Sequence, residues 1–81
     1  MRYFLPSSFM KELRMFPPKI QAKFWKQLNL LLKNLRHPSL ATKKYGGVTD
    51  LWQARLDYHF RFYFRIVEDI YIIVSIEKHR D

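Results

Sequence analysis

The hydrophobic period of this chain changes once, from helical to alternating, and that change narrows the folds open to it. Phe9, Leu13 and Phe16 recur at i, i+4 and i+7, the stripe of a two-turn helix. Ser7 or Ser8 is suited to cap that helix by accepting an orphaned backbone N–H. Pro17-Pro18 ends it, and Pro18 opens a second helix where its missing N–H costs nothing. The second helix is predicted over 19–34, with Ile20, Phe24, Leu28, Leu31, Leu32 and Leu35 on one face. Lys19, Lys23, Lys26, Gln27 and Lys33 fall on or near the other. His37-Pro38-Ser39 is the turn that leaves it.

Beyond that turn the period is two. A short strand is expected over 42–45, meeting a turn or bulge at Gly46-Gly47. Trp52, Ala54 and Leu56 alternate with Gln53 and Arg55, and Phe60, Phe62, Phe64 and Ile66 alternate with Arg61, Tyr63 and Arg65. Glu68-Asp69 reads as the next turn. In the last strand Ile70, Ile72, Val74 and Ile76 are expected toward the core, and Tyr71, Ile73, Ser75, Glu77 and His79 away from it. With an initial edge strand over 1–5, the order is β-α-α-β-β-β. This is an α+β fold: a two-helix hairpin on one face of a mostly antiparallel four-stranded sheet.

The 81 residues make one domain, 1–81. So short a chain buries only about 60% of its unfolded surface, so its core must be dense. A content of 48% hydrophobic and 17% aromatic residues provides that density. The absence of cysteine excludes a disulfide scaffold and thiolate metal sites, and suits a reducing cytoplasm. The opening Met1–Pro6 stretch does not read as a secretion signal, and no apolar run approaches the roughly 20 residues of a membrane span.

Charge is where function first shows. The formal net charge is +8, and no carboxylate lies between Glu12 and Asp50. That interval holds Arg14, Lys19, Lys23, Lys26, Lys33, Arg36, Lys43 and Lys44, while basic and acidic residues cancel elsewhere. A field so concentrated draws in polyanions or acidic proteins.

Strand parity collects Gln53, Arg55, Arg61, Tyr63, Arg65 and His79 on the sheet face away from the helices. Cleavage of RNA by internal transesterification needs these residue types. Histidine donates or accepts a proton near neutrality. Arginine forks match phosphate oxygens and stabilise the charge gathered at phosphorus. Tyrosine stacks on unpaired bases. No cluster has metal-ligand spacing, and no cofactor is called for.

Each residue also has a plainer reading. Arg61 and Arg65 alternate with Phe as the wet side of any amphipathic strand does, and Arg55 has Asp57 or Glu77 as ion-pair partners. His79 alone reads as an exposed chain end, His37 as a loop residue and His59 as a solvated turn residue. What favours a site is the coincidence on one face in so basic a chain.

The succession of short motifs resembles the RelE/ParE toxin superfamily. It comprises Phe9-x-x-x-Leu13, the proline-bounded second helix, His37-Pro38-x-Leu40 before Lys43-Lys44-x-x-Gly47, Leu51-Trp52-x-x-Arg55, Phe60-Arg61-Phe62 and Ile76-x-x-His79. The resemblance spans essentially the whole chain. It implies a microbial ribonuclease-type fold and the toxin role of a type II toxin–antitoxin pair. RelE-like members cut mRNA in the ribosomal A site with Lys and Arg groups, and YoeB-like and YafQ-like members add a C-terminal histidine.

By this resemblance Arg55 stands at a strand lysine of RelE, Arg61 at its central strand arginine, and His79 at the C-terminal arginine or histidine. Lys43 and Lys44 match the basic segment before the glycine turn. Gln53 stands where RelE has another lysine, and no counterpart of the YoeB glutamate base is evident, so the general base stays unassigned. The expected catalytic set is His79 as acid or base, Arg55 and Arg61 on the phosphate, with Lys44 and Tyr63 secondary. Lys43, Arg65, Lys19, Lys23, Lys26, Lys33 and Arg36 are expected to bind RNA.

The implied partners are the ribosome, mRNA and an acidic, partly disordered antitoxin in a hetero-oligomer. Two other readings compete. A ParE-like inhibitor of DNA gyrase shares the fold and cuts nothing, so it does not need the open-face arginines and histidine. A basic module that only binds nucleic acid or an acidic protein would not depend on His79.

Overall fold

The prolines set the helix starts. In the computed structural model, which describes residues 1–45 and 50–79, helix α1 spans Ser7–Arg14 and α2 spans Pro18–Lys33. Pro6 and Pro17 occupy the capping positions, with φ near −57° and ψ near 151°. Neither helix has a side-chain cap, so the expected serine cap is not used: Ser7 is already helical. The carbonyl of Pro6 accepts from the Met10 N–H at 3.0 Å, and that of Pro17 accepts from Ile20 and Gln21 at 2.9 and 3.1 Å.

Strands β1 (Arg2–Phe4), β2 (Lys43–Lys44), β3 (Leu51–Arg55), β4 (Phe60–Val67) and β5 (Ile70–Lys78) form one sheet in the order β1-β5-β4-β3-β2. The sheet has five strands rather than four, because the lysine pair joins its edge. β1 is parallel to β5, and the other pairs are antiparallel. The expected Gly46-Gly47 turn lies outside the described residues.

Both helices pack on one sheet face. Phe24 is fully buried, its ring 5.1 Å from Phe9 and 5.5 Å from Phe62, and Phe16 meets Phe60 edge-on at 5.6 Å. Such aromatic packing provides much of the apolar burial that a domain this small needs.

Two further expectations are corrected. Gln27 does not lie on the wet face of α2; it is buried and donates from Nε2 to the carbonyls of Arg55 (2.9 Å) and Ser39 (3.3 Å). It satisfies backbone at the end of β3 and in the turn after α2, where an apolar residue would leave both carbonyls without this donor. The second correction is in β5. Tyr63 pairs with Ser75 but Phe64 pairs with Ile73, so Val74 is a bulge. One extra residue reverses the facing of everything before it. Tyr71 and Ile73 are therefore buried beside Ile76, Ile70 and Ile72 are half-buried, and Val74 is exposed. Just past the bulge, Glu12 Oε1 of α1 accepts the Ile76 N–H at 3.0 Å.

Asp57 closes the β3–β4 hairpin. Its Oδ1 accepts the N–H groups of His59 and Phe60, both at 2.8 Å, and its Oδ2 receives Lys23 Nζ at 3.1 Å. Burial alone would raise its pKa, but the Lys23 and backbone hydrogen bonds outweigh that and hold it below its ordinary value. A depressed carboxylate contributes stability above its unfolded pKa of about 4, and that contribution is lost as pH falls through the lower folded value. Asp57→Ala is expected to cost about 1–2 kcal/mol at neutral pH, with Lys23 too exposed to add much. The gap to wild type should close as urea melts are taken below about pH 4; an unchanged gap there would contradict this account.

Candidate active site

The hairpin places the arginines. Arg55, the last residue of β3, stands directly opposite Arg61 on β4, and Arg61 stands directly opposite Glu77 on β5. The next row joins Lys43, Gln53, Tyr63 and Ser75 across four strands. All of these residues fall on the face away from the helices, because their neighbours Ala54, Phe62 and Ile76 point into the core.

Arg61 is half-buried and held in place: its Nη1 donates to the carbonyls of Asp57 at 2.7 Å and Phe60 at 3.0 Å. The hairpin that Asp57 closes therefore also aims the guanidinium. The ion pair weighed for Arg55 does not form, since Asp57 turns to Lys23 and among the described residues no bridge joins Arg55 to Glu77. Like charges directly opposite one another on neighbouring strands are unfavourable. The Arg55–Arg61 pair thus leaves the end of the sheet poised for an anion.

His79 follows β5 but is not loose. Its N–H donates to the His59 carbonyl at 2.7 Å, extending the β4–β5 ladder by one residue. Arg55, Tyr58, Arg61 and His79 then line a cleft of about 310 Å³. A second, wider cleft of about 630 Å³ adjoins it through His79 and includes Tyr45, Gln53, Tyr63 and Glu77. Ser75 Oγ donates to Glu77 Oε2 at 3.0 Å, orienting the carboxylate. Burial, aided by the Tyr45 phenol and the Glu77 carboxylate, pushes the Tyr63 hydroxyl above its ordinary pKa, with Arg61 pulling the other way. Tyr63 therefore remains a neutral donor through physiological pH.

The expected residues do not all converge. Arg65 shares the face but its row pairs with Leu51 and Ile72, beyond both clefts. Lys44 pairs with Trp52 on the helix-side face, its Nζ 6.0 Å from the indole ring and 4.0 Å from Asp50. The strand register aligns Lys43, not Lys44, with the row of Gln53 and Tyr63. Lys19, Lys26, Lys33 and Arg36 are exposed in the helical layer, and Lys23 is engaged by Asp57. His37 is a turn residue, its Nδ1 accepting the Ser39 N–H at 3.1 Å.

Sequence reasoning did not single out Tyr58 or Tyr45. Tyr58 is largely exposed in a tight turn with its ring 5.1 Å from His59. A large aromatic in a solvated turn is the signal that was available. Tyr45 gave none: its stacking on Tyr63 and its hydroxyl bond to Gln53 join residues of three strands or their ends.

This architecture is the fold seen in solved RelE, YoeB and YafQ toxins. RelE of the archaeal RelE–RelB complex from Pyrococcus horikoshii matches with a TM-score of 0.77 at 18% identity, over 95% of this chain and 92% of that one. A YoeB/ParE toxin from Agrobacterium tumefaciens matches with 0.79 at 11% identity, over 99% and 100%. YafQ from Escherichia coli matches with 0.77 at 12% identity, over 98% and 94%. No protein-family model and no curated protein matches the sequence. At these identities the likeness establishes the fold.

Proposed function

We propose that this protein is the toxin of a type II toxin–antitoxin pair and that it cuts mRNA on the ribosome, in the cytoplasm. The observation that carries the reading is the Arg55–Arg61 pair, directly opposite on two strands, in no ion pair among the described residues, and lining one cleft with His79. A scissile phosphate seated between the two forks relieves their repulsion, and the forks in turn stabilise the charge that grows at phosphorus. His79 protonates the departing 5′-oxygen as the 2′-oxygen attacks. Glu77, aligned with Arg61 and oriented by Ser75, is the carboxylate suited to take the 2′-hydroxyl proton. Tyr58 and Tyr63 offer ring faces to bases, and Tyr63 a hydrogen bond.

So open a cleft gains from a substrate positioned by something else. Orientation is worth about 7–11 kcal/mol of barrier, more than a single proton-transfer group supplies. The ribosome is the natural supplier, with Lys19, Lys26, Lys33 and Arg36 meeting ribosomal RNA phosphates from the helical layer. An acidic antitoxin, disordered until bound, would wrap this basic surface to form the hetero-oligomer.

The test is a primer-extension map of mRNA 5′ ends in a translating extract, for wild type, His79→Ala and Arg61→Ala. Cuts within reading frames that vanish in both variants are expected. An intact message and undisturbed translation with wild type would sink the reading, and inhibition of gyrase supercoiling would then identify a ParE-like toxin.

A further inference from the structure

The wider cleft shares His79 with the arginine cleft, so a strand whose phosphate lies at Arg55 and Arg61 can place a neighbouring nucleoside in it. Its wall is built for a flat ring. Tyr45 and Tyr63 stack with centroids 6.2 Å apart and planes inclined by only 15°. Behind them Gln53 is only 9% exposed, and its Oε1 accepts the Tyr45 hydroxyl. That bond fixes which end of the amide is spent. Among the described residues no hydrogen bond uses Gln53 Nε2, which remains a fixed donor in a cleft open to solvent.

We infer that this cleft is a base-reading subsite, in which Gln53, clamped by Tyr45, selects an unpaired RNA base presenting a carbonyl edge, guanine or uracil, next to the cleaved bond. The tyrosine pair supplies stacking, which every base accepts equally. The amide supplies the choice. An N–H₂ donor meets the O6 of guanine or the O4 of uracil favourably, whereas the exocyclic amino groups of adenine and cytosine oppose it donor to donor. An unpaired donor buried against a donor is what makes such sites selective. The inference rests on the nuclease reading above.

The experiment maps cut sites in a translating extract for wild type, Tyr45→Phe and Gln53→Glu, and scores the base at each position flanking the cut. Wild type is expected to favour guanine and uracil over adenine and cytosine by about tenfold at one fixed flanking position. Tyr45→Phe, which frees the amide to rotate, should relax the ratio toward one. Gln53→Glu, which replaces the donor with an acceptor, should reverse it. Cleavage with no such bias, or with a bias that both variants leave untouched, overturns the subsite and spares the nuclease reading. Absence of wild-type cleavage overturns both.

Discussion

His79→Ala is expected to lower the rate of mRNA cleavage by about 10²–10⁴-fold, the range for loss of a positioned proton-transfer group. Stability should hardly change. The His79 residue is exposed, and alanine keeps the backbone N–H that donates to the His59 carbonyl. Loss of rate without loss of stability separates a reacting group from a structural one. Arg61 allows a finer comparison. Arg61→Ala removes the charge together with the two hydrogen bonds to the hairpin carbonyls. Arg61→Lys restores only a point charge, which cannot reproduce the planar fork, so rescue should be partial. Single-turnover cleavage with purified ribosomes, beside thermal melts of each variant, reads both effects. Full activity of His79→Ala would remove His79 from the mechanism and leave Arg55, Arg61 and Glu77 to act without it.

Phe24→Ala is the substitution expected to destabilise the fold most, by about 3–5 kcal/mol. The ring is fully buried between the helical layer and the sheet, against Phe9, Phe62 and the edge of Trp25. Its neighbours belong to three elements, so the cavity left behind cannot close without moving a helix relative to β4. Against a total stability of roughly 5–15 kcal/mol for a domain, such a loss is a large share. The urea midpoint should fall steeply with an unchanged slope. A shift worth less than about 1 kcal/mol would mean that the site collapses freely and that the aromatic cluster is not what holds the layers together.

The local signals in the chain were strong where the physics is local. Proline fixes φ and removes a donor, so Pro6, Pro17 and Pro18 mark helix starts in any context. They also displaced the serine cap, because the residue after Pro6 is already helical. The aromatic alternation of β4 could face only one way, with Phe62 and Phe64 inward and Arg61 and Tyr63 outward. Arg55, Arg61 and His79 were therefore legible as companions before any pairing was known, and they line one cleft.

Tertiary structure decided what depends on partners distant in sequence. The bulge at Val74 reversed the facing of Ile70, Tyr71, Ile72 and Ile73, yet left Glu77 and His79 beyond it on the open face. Nothing in a run of isoleucine and valine marks where such a slip falls, since either parity offers apolar side chains. Gln27 reads as a solvated helix residue until the Arg55 carbonyl is found waiting for it. Lys43 and Lys44 are indistinguishable as a dipeptide, and only pairing with Gln53 and Trp52 sends them to opposite faces. By itself the sequence determined the layers, the charge and the residue types of the open face, because these follow from backbone periodicity and composition. Strand register chose which of those side chains meet, because hydrogen-bond pairing is settled between segments and not within them.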